Sequence, residues 1–262
     1  AQVLIAPTAV YLGDQRRTTS ITVSNPSMTE REVRLSLEFG YPVSDSAAMT
    51  TVVYGDTAMQ RAFACDRFVS VFPKRFVLKP GQRQVVRITA SAPSSLEPGM
   101  YWTRLVVTTL AAAEVGTDTT GRVGARLNFT YNQALAVTYK KGDVPVEVTL
   151  GSLGLVRDGG RTVPVLPLSV EGPGPFIGSI RGELRPTTGG EVTSRTIPVS
   201  AYRSARKRIG DLVRDVPAGS YILAVSVSGT KADTDASLLL RSNTATAEVP
   251  LTINGDGSVS LP

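Results

Sequence analysis

Apolar and polar side chains exchange places at every second residue over much of this chain. Residues 32–39 put Val33, Leu35, Leu37 and Phe39 on one face and charged residues on the other. Residues 18–26 alternate in the same way and stop at Asn25-Pro26, a turn signal. A period of two marks a half-buried strand. The pattern predicts further strands over 3–12, bent or at an edge because of Pro7, and over 68–73, 74–78, 84–90, 100–108 and 126–139. Lys79-Pro80-Gly81-Gln82 is a tight turn, with Pro80 setting one central dihedral and Gly81 permitting positive φ. Residues 43–64 are less regular and carry a helical turn near 58–64. Residues 111–122 are small, polar and glycine-containing and read as a mobile loop.

Residues 140–143 read as a linker. Beyond it the rhythm resumes, with strands predicted over 144–150, 161–170, 177–184, 192–199, 219–228, 236–240 and 244–253, and a loose tail over 254–262. Turn signals recur about every 8–12 residues, the spacing of a β-sandwich. No stretch has the 3.6-residue period of an amphipathic helix. The chain is therefore predicted to be all-β, with two immunoglobulin-like β-sandwich domains at 1–140 and 144–262. Its 262 residues suit two such units rather than one.

Composition narrows the function. At 42% hydrophobic and 19% charged residues the chain can build cores. It has no histidine, which excludes Ser–His–Asp and Cys–His catalysis and histidine metal sites. The single cysteine, Cys65, excludes an internal disulfide and reads as a small buried apolar residue. Asp233 and Asp235 are too few to cage a calcium ion. The glycines of Glu171-Gly172-Pro173-Gly174-Pro175 are followed by no Gly-Lys-Ser/Thr, so they form no phosphate loop. No cofactor, metal or catalytic group is called for, and the chain reads as a binding protein rather than an enzyme.

The net charge is +6, with one dense cluster at Arg203, Arg206, Lys207 and Arg208. That cluster reads as a strand edge protected by charge, or as a basic patch for an anionic partner. A nucleic-acid partner is not expected. No apolar run approaches the roughly 20 residues of a membrane-spanning helix. The start, Ala1-Gln2-Val3, reads as the mature end left after signal-peptide removal. Trp102 reads as the core anchor of the first half, with Tyr101 on the opposite face of its strand.

Several first-half motifs then come together. They are Ala9-Val10-Tyr11-Leu12, Ile21-Thr22-Val23-Ser24-Asn25, the run Phe72-Pro73-Lys74-Arg75-Phe76-Val77-Leu78-Lys79-Pro80-Gly81-Gln82 with Val86-Arg87-Ile88 behind it, and Pro98-Gly99-Met100-Tyr101-Trp102-Thr103-Arg104-Leu105. Together they resemble the N-terminal domain of the periplasmic pilus-assembly chaperones. The resemblance implies a boomerang-like arrangement of two sandwiches. It further implies a chaperone that lends its last N-domain strand to a pilin-like subunit, with two basic residues anchoring that subunit's terminal carboxylate. In this sequence Thr8 and Asn128 stand at the two anchor positions. Arg126, two residues before Asn128 and on the same strand face, is placed to substitute. Val123, Leu127 and Phe129 belong to the same partner-binding strand.

The function expected is thus a periplasmic or extracellular, secreted chaperone-like protein of a Gram-negative bacterium. It would hold a secreted or surface-appendage subunit by β-strand addition or in the interdomain cleft. The alternative is a structural or adhesive subunit of the appendage itself, using a loose start at residues 2–12 as a donor strand. The oligomeric state is not legible.

Overall fold

The computed structural model describes residues 3–111 and 130–262. Among the described residues all regular structure is strand apart from one seven-residue helix and two 3-10 turns. The expected loop at 111–122 lies outside the described residues except for Ala111, as do residues 126–129 of the expected last strand. The chain divides into two compact units. The first is built from 1–40, 55–96 and 101–139, and the second from 41–54, 97–100 and 140–262.

The first unit is a two-sheet sandwich. One sheet has the order β1 (Leu4–Ala6), β3 (Thr18–Ser24), β9 (Arg83–Ala90), β7 (Val69–Phe72). The other has the order β2 (Ala9–Gly13), β11 (Thr130–Lys141), β10 (Gly99–Ala111), β4 (Arg31–Glu38), β8 (Arg75–Leu78). Leu12, Ile21, Val23, Val33, Val86, Ile88, Leu105 and Val107 fill the space between the sheets. These are the alternate apolar positions of the sequence pattern, turned to one side by the pleat.

Of the segment expected to be loose at residues 2–12, residues 4–6 and 9–12 are instead built into the two sheets. Leu4 to Ala6 pair antiparallel with Ser24 to Thr22, while β2 joins the opposite sheet beside β11. Val3, Val10 and Leu12 are buried. Pro7 sits where the chain changes sheets, a place that needs no ladder donor.

Two turn signals meet. The buried Asn25 side chain donates to the Leu78 carbonyl at 3.0 Å and the Thr29 carbonyl at 2.8 Å, and accepts from the Ser27 hydroxyl at 2.7 Å. The main-chain carbonyl of Asn25 accepts from the Gly81 amide at 2.8 Å, where Gly81 takes φ +74°. The helix, α1 (Thr57–Phe63), starts at Asp56, whose carboxylate caps the Ala58 and Met59 amides at 3.1 and 3.0 Å.

The second unit is also a pair of sheets. One has the order β13 (Gly154–Asp158), β14 (Arg161–Glu171), β12 (Pro145–Leu150), β19 (Arg241–Ser242), with β17 (Ser204–Arg208) pairing the other edge of β14. The other has the order β16 (Thr193–Ala201), β15 (Phe176–Pro186), β18 (Gly219–Ser228), β20 (Ala245–Ile253), β21 (Val259–Ser260). A hairpin of β5 (Gly40–Ser44) and β6 (Thr50–Tyr54) forms a separate two-stranded sheet. The irregular stretch of the sequence thus contains a strand pair.

Two expectations are corrected in this unit. Residues 236–240 are not a strand: Asp235 caps the Ser237 amide at 2.9 Å, residues 236–238 make a 3-10 turn, and Leu238, Leu239 and Leu240 plug that loop into the core. The tail is not loose. Asn254 and Ser258 close a turn by backbone and side-chain bonds, and Val259 pairs with Ile253 and is buried. At the expected linker, residues 140–143, β11 runs through Lys141. The Asp143 carboxylate meets Lys140 at 3.1 Å and Arg241 at 2.8 Å, and the Lys140 hydrogen bond holds it below the usual carboxylate range.

Candidate functional site

Of the residues expected to bind a partner, only Thr8 lies among the described residues. Thr8 is exposed at the bend between β1 and β2. Val123, Arg126, Leu127, Asn128 and Phe129 lie outside the described residues, and the chain re-enters at Thr130, the first residue of β11. Leu135, Val137 and Tyr139 of β11 point into the core, while Asn132 is exposed and accepts from the Thr108 hydroxyl at 2.8 Å.

The outer edge of β11 belongs to β2, and the two are unequal. β2 has five residues and β11 has twelve. A strand of five cannot ladder the whole of a strand of twelve. The side-chain contacts place β2 toward the C-terminal end of β11: Thr138 donates to the Val10 carbonyl at 3.3 Å, and the Tyr139 hydroxyl donates to Asp14 at 2.7 Å. Tyr139 is pushed up to about 12, first by burial and then by the Asp14 carboxylate. Nearer the N-terminal end, the Gln133 amide donates to the Val3 carbonyl at 3.0 Å.

Arg206, Lys207 and Arg208 of the basic cluster lie on β17, with Arg203 just before it. Lys207 and Arg206 of β17 stand opposite Leu166 and Pro167 of β14. The other side of β17 meets the hairpin: the Arg206 amide donates to the Ser44 hydroxyl at 2.6 Å, and Tyr41 stacks on Tyr202 with centroids 6.2 Å apart. Arg208 is committed within the unit, to Asp158 at 2.9 Å and to the Ala47 carbonyl at 3.0 Å. Arg203 and Arg206 are exposed. A pocket of about 670 Å³ opens beside this strand, but Arg208 pairs with Asp158, Arg214 with Asp211, and Arg161 faces Asp256, so its three arginines are each matched by a carboxylate and Asp215 adds one more.

Cys65 is fully buried with its sulfur 3.9 Å from the Val137 carbonyl, and burial pushes its thiol up, away from the thiolate that reacts. The Asp233 carboxylate is taken up by Lys231, and Asp235 by its cap. Among the described residues no cluster of three or more acidic or cysteine side chains is arranged to hold a metal ion. No described helix is long and apolar enough to cross a membrane.

Trp102 corrects a further expectation. It is buried, but outside the core between the sheets: Tyr101, Leu105 and Val107 enter that core, while Trp102 takes the opposite face of β10. There it stacks on Phe63 of α1 at 4.8 Å and meets Phe39 at 5.6 Å. Tyr101 and Trp102 are both buried because both faces of the strand are covered.

No protein-family model and no curated protein matches the chain. Solved structures do. The chain is similar to a chain of the CsuC–CsuE chaperone–tip adhesion subunit pre-assembly complex of archaic chaperone-usher Csu pili from Acinetobacter baumannii, with 12% identity and a TM-score of 0.44, over 95% of this chain and 98% of that one. It is similar to the YadV chaperone, with 12% identity and a TM-score of 0.46, over 95% of this chain and 100% of that one. It is also similar to a chain of the Salmonella enterica SafA pilin–SafB chaperone complex, with 15% identity and a TM-score of 0.44, over 94% of this chain and 95% of that one.

Proposed function

We propose that the protein is a periplasmic assembly chaperone, a binding protein without catalytic activity, that holds a pilin-like secreted subunit by strand addition along β11. The observation that carries this reading is the unequal pairing of β2 and β11. Among the described residues β2 is the one strand on that side of β11, and a strand longer than its edge neighbour offers backbone for another chain to pair. The segment that leads into β11 contains Val123, Leu127 and Phe129, and the first-half motifs resemble pilus chaperones. With Thr8 and Asn128 at the family's anchor positions, Arg126 is the cation left to meet a terminal carboxylate.

The appendage-subunit reading needs a donor strand at the start of the chain. That start is consumed by pairing with β3 and by burial of Val3 and Val10.

The test is co-expression with the periplasmic subunit that co-purifies with the protein, identified by mass. Arg126→Ala combined with aspartate at Val123 and Phe129 is expected to reduce the recovered complex at least tenfold. Full recovery with this triple variant, or the absence of any secreted subunit in the wild-type preparation, would overturn the reading.

A further inference from the structure

The outer faces of the two sheets of the first unit carry charge differently. The sheet that contains β11 shows both signs: Glu32 takes Arg34 and Arg75 at 2.8 Å, and Glu38 stands opposite Arg104 across the ladder. In the sheet β1-β3-β9-β7, Ile21, Val23, Val69, Val71, Val86 and Ile88 turn to the core, so the residues that alternate with them face outward. Those are serines and threonines, the apolar Leu4, Ala6, Val85 and Phe72, and two arginines, Arg83 and Arg87. No carboxylate is among them.

Phe72 is 77% exposed, Leu4 60% and Val85 56%. Phe72 stands opposite Arg87, and Val85 lies two residues from each arginine along β9. Side chains on one strand face repeat about every 6.6 Å, so β9 presents a cation, an apolar group and a cation in a line about 13 Å long. Neither arginine has a hydrogen-bond or ion-pair partner among the described residues. The border is basic as well. Within four residues of the ends of these strands stand Arg16, Arg17, Arg67, Lys74, Arg75 and Lys79, against two carboxylates, Asp66 and Asp14, the latter taken up by the Tyr139 hydroxyl.

Exposed apolar side chains grouped on one face mark an interaction surface, and charge selects what meets this one. Two unpaired arginines inside a basic border favour carboxylates and oppose a second copy placed face to face. Arginine and phenylalanine are residues that protein interfaces concentrate at their centres. Lipid-surface binders instead bury a continuous apolar face beside their cations, and here serine, threonine and arginine separate the apolar groups. We infer that the outer face of β1-β3-β9-β7 docks a different protein, through an acidic patch that sets carboxylates on either side of an apolar side chain. The face covers roughly 350 Å² at about 4.8 Å per strand and 3.3 Å per residue. That is about half of one side of a standard interface, so the contact is transient and salt-sensitive. It belongs to the other sheet from β11 and is a separate surface.

The test uses the full chain and three labelled, blocked, alanine-based helical peptides. Each has a leucine midway between two residues one heptad apart, which are glutamates, glutamines or lysines. Fluorescence anisotropy reads binding. The glutamate peptide is expected to bind at least fivefold more tightly than the glutamine peptide, and the lysine peptide more weakly than either. The glutamate affinity should fall at least threefold between about 50 and about 300 mM salt. Phe72→Ser is expected to weaken the glutamate peptide at least threefold. Arg83→Glu with Arg87→Glu, both at exposed positions, is expected to turn the preference toward lysine, while Arg206→Glu in the second unit leaves it unchanged. No binding, equal binding of the three peptides, a preference that survives the double variant, or one that Arg206→Glu abolishes would overturn the inference. So would a wild-type dimer that the double variant dissociates, or retention on phosphatidylglycerol vesicles that Phe72→Ser abolishes, since the occupant would then be a second copy or a membrane. None of these readouts involves β11 or the co-purifying subunit, so either reading can fail alone.

Discussion

Strands β10 and β18 hold the same place, third of five, in the larger sheet of the first unit and in the sheet of the second unit that ends at β21. They are covered differently. In β18, Tyr221, Leu223, Val225 and Val227 are buried while the residues between them are half-buried. In β10, residues 101–107 are buried without a break. The difference comes from α1 and Phe39, which lay an aromatic cover over the outer face at Trp102, and from Gly40, whose carbonyl takes the Arg104 guanidinium at 3.1 Å. A central strand of an antiparallel sheet ordinarily shows water one face. Here the first unit carries a second, smaller cluster outside its core, and the second unit relies on the sandwich alone.

The largest effect should come from removing that cover. Trp102→Ala deletes the centre of the aromatic cluster and is expected to cost about 4 kcal/mol, with Phe63→Ala costing roughly half as much because Phe63 is half-buried. Unfolding by denaturant measures both. A double variant whose cost is well below the sum would show that the two rings act as one unit. A cost below about 1 kcal/mol for Trp102→Ala would mean that the outer cover contributes little and that β10 and β18 are equivalent after all.

The second unit is most sensitive where its backbones approach each other. A Cβ on Gly178 of β15 would stand 2.1 Å from the Ser228 carbonyl oxygen at the end of β18 and 2.7 Å from the Phe176 ring. Neither the strand backbone nor a buried ring can move away cheaply, so Gly178→Ala is expected to cost about 3 kcal/mol. Limited proteolysis would place the damage in the second unit, with Trp102 fluorescence in the first unchanged. Loss of the Trp102 signal at the same denaturant concentration would show that the units unfold together.

A smaller effect separates the core faces of the two strands. β10 puts Thr103 on its buried face, fully covered and with no partner for its hydroxyl among the described residues, where β18 has only apolar residues and Tyr221. An unpaired buried hydroxyl costs free energy that valine, of nearly the same shape, does not. Thr103→Val is expected to stabilise the first unit by about 1 kcal/mol. A destabilised variant would mean that the hydroxyl has a partner in solution.

The contrast also explains what could be read in advance. Alternation and turn chemistry located most strands of both units, because Ile21 and Val23, or Leu223 and Val225, obey a local rule about which side is wet. Asn25-Pro26 and Pro80-Gly81 were legible as turns for the same reason. The aromatic cover was not, since Trp102 and Phe63 lie far apart in sequence and periodicity does not say what packs on a sheet's outer face. Residues 236–240 misled because three leucines that plug a loop look like a strand. The binding surfaces were legible unevenly. Arg203 to Arg208 stood out by charge, whereas Val123 to Phe129 rest on resemblance to a family.

The smallest effect concerns the tyrosines of the two units. Tyr221 of β18 donates to the neutral Pro217 carbonyl at 2.9 Å, and Tyr139 of β11, the neighbour of β10, donates to the Asp14 carboxylate at 2.7 Å. Tyr139 is held protonated to about 12, against an ordinary value near 10. A raised value for an acid means that the fold favours the neutral form. The resulting stability is fully present below pH 10 and is lost as the pH rises from about 10 to 12. Asp14→Asn keeps an oxygen acceptor and removes the like charge, so Tyr139 should titrate at lower pH, still above its ordinary value because burial is the larger cause. Difference absorbance of tyrosinate against a Tyr139→Phe control reads that titration. An unchanged titration in Asp14→Asn would assign the shift to burial alone and leave the Asp14 contact as packing.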